Sequence, residues 1–117
     1  MKIQYKNAKC QKQCEDLNQA KKDYPTEVAL KLMAHINFIK QAASFVDIMN
    51  YPPFHFHKLE GDRKNLFSLD IGRKLGYRII IDPLDENNTS LKNEKELEII
   101  KKCTKIVLVV EVTNHYA

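Results

Sequence analysis

The sequence predicts an α+β domain in which an N-terminal strand and a helical hairpin cover one face of a mainly antiparallel sheet of three to five strands. Two observations predict this fold. Apolar residues recur at helical spacing in the N-terminal part of the chain, and β-branched runs separated by glycine-bearing turns follow. The chain has 117 residues, of which 44% are hydrophobic and 29% are charged, so it is long enough for one core and too short for two. We therefore expect residues 1–117 to form a single domain.

The N-terminal elements follow from local patterns. Residues 1–5 alternate apolar and polar side chains, which predicts a short strand. Apolar side chains then recur at helical spacing from Asn7, interrupted only by Lys21, and this predicts one amphipathic helix that ends near Asp23. Pro25 suits a first helical turn, and a second stripe predicts the next helix. The stripe consists of Val28, Leu32, Ile36, Ile39 and Ala43. So short a connection implies a helical hairpin.

The rest of the chain is strand-like. Residues 45–49 predict a short helical turn, which the following Tyr-Pro-Pro stops. Strands are predicted at 54–59, 66–71, 77–81 and 106–112, with Gly61, Gly72 and Gly76 in the turns between the earlier ones. Residues 93–103 have helical propensity and predict either a short surface helix or a polar extension of a strand.

Charge and cysteine content restrict the class of protein. The net charge is +4, no apolar run is long enough to cross a membrane, and the N-terminus lacks the apolar region of a signal peptide, so we expect a cytoplasmic protein. An odd number of cysteines argues against a disulfide framework, and no metal-ligand spacing is recognisable. We interpret Cys10, Cys14 and Cys103 as packing residues and expect neither a metal nor another cofactor.

The side chains that could take part in catalysis or in phosphate binding are concentrated between His57 and Arg78. This segment contains six cations against three carboxylates, and the cations are Lys58, Arg63, Lys64, Arg73, Lys74 and Arg78. Near the C-terminus, the apolar run 106–112 is followed by Asn114, His115 and Tyr116. If the last strand pairs beside the earlier ones, the two histidine-bearing segments meet over one basic face.

This set of residues is typical of metal-independent RNA cleavage. That reaction needs a base for the 2'-hydroxyl, an acid for the 5'-oxygen and cations for the phosphate. The candidate proton carriers are His55, His57, His115 and Tyr116, and the candidate cations are Arg63, Lys64, Arg73 and Arg78. If 54–59 is extended, His55 and His57 share one face. We interpret His35 as structural, and Asp82 and Asp85 as turn residues.

The run His57-Lys-Leu-Glu-Gly-Asp-Arg-Lys64, then Phe67-Ser68-Leu69, Tyr77-Arg78-Ile79 and the closing segment Glu111 to Tyr116, resembles the RelE/ParE superfamily of toxins, most closely its HigB branch. The resemblance implies a ribosome-dependent messenger-RNA endonuclease. It further implies that such a toxin is silenced by a HigA-like helix-turn-helix antitoxin and contacts operator DNA only through that antitoxin.

Carried over by position, the resemblance implies that His57, Arg63, Arg78, His115 and Tyr116 are catalytic. It adds RNA contacts by Lys58, Lys64, Arg73 and Lys74. The chain departs from the family at Asn65, where a glycine is usual, and in the closing order Asn-His-Tyr. Asn tolerates the left-handed conformation of a glycine. The alternative is a non-catalytic, ParE-like toxin that inhibits gyrase, and the histidines favour cleavage.

Overall fold

A computed structural model describes residues 1–61 and 65–114, with only the backbone of Arg73. Its five strands are β1 (Lys2–Tyr5), β2 (His57–Lys58), β3 (Phe67–Asp70), β4 (Tyr77–Leu84) and β5 (Ile106–Asn114). They form one sheet in the order β1-β5-β4-β3-β2. Only β1 and β5 are paired in parallel, and the other neighbours are antiparallel. The predicted α+β class and mainly antiparallel sheet are confirmed.

The described helices are α1 (Ala8–Glu15), α2 (Leu17–Asp23), α3 (Thr26–Gln41), α4 (Phe45–Met49) and α5 (Leu97–Cys103). Their apolar sides share one core cluster with the inward side chains of the sheet, among them Phe67, Leu69, Ile79, Ile81, Val107 and Val109. Successive strand residues point to opposite faces, so Ser68 and Ile80 belong to the other face of the sheet. No described helix is long and apolar enough to cross a membrane.

The single helix predicted from Asn7 to Asp23 is wrong, because the chain breaks it at Asp16. This residue is extended, and its carboxylate accepts hydrogen bonds from the amides of Asn18 at 2.9 Å and Gln19 at 3.4 Å. A carboxylate in this position caps the first turn of a new helix. The apolar spacing continues across the break, which is why the pattern alone suggested one helix. The hairpin with α3 is confirmed.

A polar link joins the N-terminal elements at the opposite end of the sheet from β2. The Tyr5 hydroxyl donates to the Glu15 carboxylate, which also accepts from Lys40 at 2.5 Å. The N-terminal amine of Met1 donates to the carbonyl of Ala42 at 2.6 Å. These bonds connect β1 with both α1 and α3, and they secure the sheet edge farthest from the basic segment.

Several other expectations were tested by the fold. The helical turn at 45–49 and the helix within 93–103 are confirmed, and Gly61, Gly72 and Gly76 all have positive φ, as turns require. The strand predicted at 54–59 is wrong over most of its length, because residues 52–54 form a 3-10 turn and β2 contains two residues. The two prolines impose that turn by restricting φ.

Two side-chain interpretations need correction. Cys10 and Cys14 are buried as expected, but Cys103 is exposed at the end of α5, so its interpretation as a packing residue is wrong. Asp82 is not a turn residue, since it lies within β4, is 9% exposed and accepts a hydrogen bond from the Ser90 hydroxyl at 2.5 Å. Asp85 does cap the following turn, through the amides of Asn87 and Thr89.

Candidate functional site

Strand register brings three polar side chains together on the face of the sheet opposite the main core. His57 on β2 pairs directly with Ser68 on β3, which in turn pairs with Ile80 on β4. Arg78 lies two residues before Ile80 and therefore diagonally across from Ser68. In antiparallel sheets, the Cβ atoms of direct pairs lie about 5 Å apart and diagonal Cα atoms about 7 to 8 Å apart. His57, Ser68 and Arg78 thus lie on one face of three neighbouring strands, with Asp70 paired directly to Arg78 on the same face, and we call His57, Ser68 and Arg78 the polar face.

The imidazole of His57 is held in one orientation. Its Nδ1 lies 2.8 Å from the carbonyl oxygen of His55. A carbonyl oxygen can only accept, so Nδ1 carries the proton in this bond. In the neutral ring the lone pair is then on Nε2, which is the nitrogen able to take a proton from a bound molecule. The His57 side chain is half-buried and accessible for this role.

Two other groups on the polar face are buried without satisfied hydrogen bonds. The hydroxyl of Ser68 and the Nε atom of Arg78 have no hydrogen-bond partner among the described residues. Ser68 is fully buried, and Arg78 is half-buried. Leaving such groups unpaired in a protein interior costs free energy. Their placement on one strip is therefore a sign of a site that uses polar groups.

A mostly apolar cavity of about 310 Å³ adjoins the edge of β2. His57, Lys58 and Lys95 contribute polar side chains to its wall. The remaining lining residues are Phe56, Phe67, Leu97 and Ile100. The rings of Phe56 and Phe67 stack at a centroid distance of 4.7 Å, and the Lys58 ammonium lies 5.6 Å from the Phe67 centroid. A flat apolar ligand with a nearby negative charge suits these walls.

The structure brings together only part of the predicted set. Lys58 and Lys74 are exposed, Lys58 on β2 and Lys74 in the 73–75 turn, and only the backbone of Arg73 is described there. Arg63, Lys64, His115 and Tyr116 lie outside the described residues. The described residues on the two sides of 62–64 are hydrogen-bonded to each other, since the amide of Leu59 donates to the carbonyl of Leu66 at 2.8 Å. Thr113, near the end of β5, pairs with Arg78.

The expectation that His55 and His57 share one face of an extended strand is wrong. His55 does not share a strand face with His57, because it follows the 52–54 turn with φ of 43° in the left-handed region. The two rings nevertheless lie 5.1 Å apart. At Asn65, φ is 72°, so asparagine does adopt the conformation in which a glycine would be favoured. Ser68 was not predicted as a site residue, although its place on the polar side of the 66–71 alternation was a usable signal.

His35 packs against aromatic rings as a structural histidine would. Its ring meets that of Phe54 edge-on at 4.9 Å, and burial, followed by the charge of Lys31, lowers its pKa. Within residues 1–61 and 65–114, no group of three metal-ligating side chains lies close enough together to hold an ion.

The comparisons with known proteins do not add a family. The chain matches no protein-family model, no curated protein and no solved structure. The function of the chain is therefore inferred from the geometry above and from the sequence resemblance.

Proposed function

We propose that this chain is the toxin of a type II toxin-antitoxin system, a HigB-like endoribonuclease that cleaves messenger RNA on the translating ribosome. The observation that carries the proposal is the polar face, on which His57 lies in register with the buried Ser68 and Arg78 lies diagonal to Ser68 on the next strand. The Nδ1 of His57 is bonded to the carbonyl of His55, which leaves Nε2 as the nitrogen that can accept a proton. A surface that only binds needs cations, whereas an oriented imidazole is suited to proton transfer.

In the proposed reaction, Nε2 of His57 takes the proton from a ribose 2'-hydroxyl. The 2'-oxygen attacks the adjacent phosphorus, and the bond from phosphorus to the 5'-oxygen breaks. The products are a 2',3'-cyclic phosphate and a free 5'-hydroxyl, whose proton comes from His115 or Tyr116. Arg78, together with Arg63, stabilises the negative charge on the phosphoryl oxygens, and a planar guanidinium can donate two hydrogen bonds to them.

RNA binding is assigned to the surrounding cations. Lys58 and Lys74 are exposed and can contact phosphates without a fixed geometry, and Lys64 and Arg73 have the same proposed role. Lys58 follows His57 on β2 and lies over the Phe67 ring, so it would contact the RNA at the edge of the sheet and not from the polar face itself. No ion is part of the proposed chemistry, so cleavage should persist in chelator as long as the ribosomes stay intact.

The proposed partner is a HigA-like helix-turn-helix antitoxin encoded beside the gene, which would also make the only contact with operator DNA. Both proteins would act in the cytoplasm, where translation takes place. Co-expression with the neighbouring reading frame should restore growth, and the two products should co-purify. If no adjacent product does either, the assignment to a toxin-antitoxin system fails.

The test of cleavage is induction of the chain in bacteria with mapping of messenger-RNA 5' ends. We expect growth arrest and new ends inside translated reading frames. Arg78→Ala should reduce cleavage by about 100-fold to 1000-fold, the usual loss when one donor to a developing oxyanion is removed. Arg78→Lys should also be impaired because it lacks the guanidinium fork. Lys12→Ala, which removes an exposed cation on α1, is the matched control and should cleave normally.

Two outcomes would change the assignment. Intact messages combined with gyrase-linked DNA breaks would replace cleavage with the ParE-like alternative. Wild-type cleavage by Arg78→Ala, with the fold verified by circular dichroism, would remove Arg78 from the site. Comparison of His115→Gln with Tyr116→Phe then identifies the acid, since the more damaging substitution marks the group that protonates the 5'-oxygen.

A further inference from the structure

A second cavity, of about 450 Å³, lies between α3, the turn at 52–55 and Gly72. Its wall consists of Lys31, Ala34, His35, Pro52, Pro53, His55 and Gly72. One of these side chains is a permanent cation and two are histidines, while none of them is a carboxylate. The cavity is therefore lined for an anion, and no role in RNA cleavage has been assigned to it above.

Helix α3 supplies two of the three polar side chains. Lys31 and His35 are four residues apart, so they lie on one side of the helix, one turn from each other. His35 is wedged edge-on against Phe54 at 4.9 Å and Tyr51 at 6.5 Å, which restrict its ring. Its Nε2 is buried and has no hydrogen-bond partner among the described residues. Such a nitrogen gains a partner if an anion enters and the ring is protonated.

Gly72 lets the lysine approach the opposite wall. Its φ is +76°, and a Cβ built there would lie 3.2 Å from the Lys31 ammonium and 3.0 Å from a methyl group of Leu75. A larger residue would strain the backbone and displace both neighbours. The ammonium therefore lies close over the chain at the point where a side chain would otherwise fill the space.

His55 completes the wall in a costly conformation. A left-handed φ is unfavourable for a residue that is not glycine because Cβ comes too close to the following carbonyl oxygen, and His55 adopts it with φ of 43°. This conformation directs its carbonyl to His57 and leaves its exposed ring at the cavity. Strained backbone of this kind clusters at binding sites. Lys31, His35 and His55 thus converge on one space from two separate parts of the chain.

We propose that this cavity binds a phosphate group. A phosphate offers several acceptor oxygens and a negative charge to the Lys31 ammonium and to the ring N–H groups of His35 and His55. The proposal goes beyond RNA cleavage and needs neither a ribosome nor an antitoxin. Two sources share this chemistry: a phosphate of an RNA strand, or a free phosphate monoester such as a nucleotide.

The test is titration of the isolated protein with inorganic phosphate and with sulfate, followed by two-dimensional ¹H–¹⁵N NMR at constant ionic strength. We expect saturable shifts at the amides of Lys31, His35 and Gly72. Lys31→Gln should weaken binding by about tenfold, the scale of one charge-assisted hydrogen bond. Lys12→Gln makes the same change of charge on the exposed side of α1 and should bind as wild type does.

Sulfate binding should also strengthen as the pH falls from about 7.5 to 6. The groups that face His35 are Lys31 on its own helix, the rings of Tyr51 and Phe54, and His55 across the cavity. Burial and the charge of Lys31 oppose protonation of His35, and a bound anion supplies the negative charge that favours it. His35→Gln should reduce this pH dependence. Unchanged binding in both Lys31→Gln and His35→Gln would overturn the proposal, as would linear shifts that sodium chloride reproduces.

Competition then distinguishes the two sources. Displacement of sulfate by an oligoribonucleotide without terminal phosphates identifies an RNA phosphodiester, and displacement by a nucleoside monophosphate alone identifies a free monoester. Displacement by neither would mean an adventitious ion only, and the proposal would fall. No step of this test measures cleavage. A negative result therefore does not contradict the proposed function, and refutation of the proposed function does not contradict phosphate binding at this cavity.

Discussion

Replacing Ser68 with alanine should stabilise the protein. Ser68 is 0% exposed, and its hydroxyl has no hydrogen-bond partner among the described residues. Burying a hydroxyl without a partner costs roughly 1 to 3 kcal/mol in mutational series. Alanine removes that penalty but leaves a gap the size of one oxygen atom, and the lost packing offsets part of the gain in stability. We expect a net increase of about 1 kcal/mol in the free energy of unfolding, or about 3 to 5 °C in Tm.

Ser90 provides a matched control for this change. Its hydroxyl donates to the carboxylate of Asp82 at 2.5 Å and accepts from the amide of Lys92 at 3.2 Å. Ser90→Ala makes the same chemical change but removes a bond to a buried charged group, so it should destabilise by about 1 to 2 kcal/mol. The two serine substitutions should therefore shift stability in opposite directions.

The assay is urea unfolding followed by circular dichroism, with the denaturant slope compared among the variants. A higher midpoint for Ser68→Ala and a lower one for Ser90→Ala, at equal slopes, would support the reasoning. A fall in the midpoint for Ser68→Ala comparable to that of Ser90→Ala would refute it. The Ser68 hydroxyl would then be a satisfied structural group, and its burial would no longer mark the polar face as a site.

Three further predictions concern single side chains. His57→Gln should slow single-turnover RNA cleavage by about 100-fold, the scale for losing one positioned base, and a loss under threefold would remove His57 from that role. Asp16→Ala should cost about 1 kcal/mol in urea unfolding because it removes the cap of α2, and an unchanged midpoint would contradict this. Burial, and then the charge of Lys31, lowers the pKa of His35 in the folded protein, so the unfolded chain takes up this proton at a higher pH than the folded chain does. The free energy of unfolding should therefore fall as the pH drops below about 6.5. His35→Phe should flatten that part of the stability profile, and an unchanged slope would contradict the prediction.

Local patterns were sufficient for most of the fold. The alternation at 66–71 separates Phe67, Leu69 and Ile71 from Ser68, and in the structure these three residues are the ones in the main core, because a strand has a period of two residues. The stripe from Val28 to Ile39 predicted α3 for the corresponding reason, its period of 3.6 residues. Predictions from periodicity fail where a single residue favours a different local structure. Asp16 ends α1 by capping the next helix, and the prolines at 52 and 53 replace a strand with a turn.

Composition and periodicity were sufficient to predict the class of fold and to find the basic segment with its histidines, because both are properties of neighbouring residues. Only the tertiary structure decided that His57, Ser68 and Arg78 share one strip, since that depends on the register of three strands. It also decided that Lys31 and His55 meet at one cavity. Register and helix packing are set by contacts between distant parts of the chain, and a polar group becomes costly or useful only when such contacts bury it.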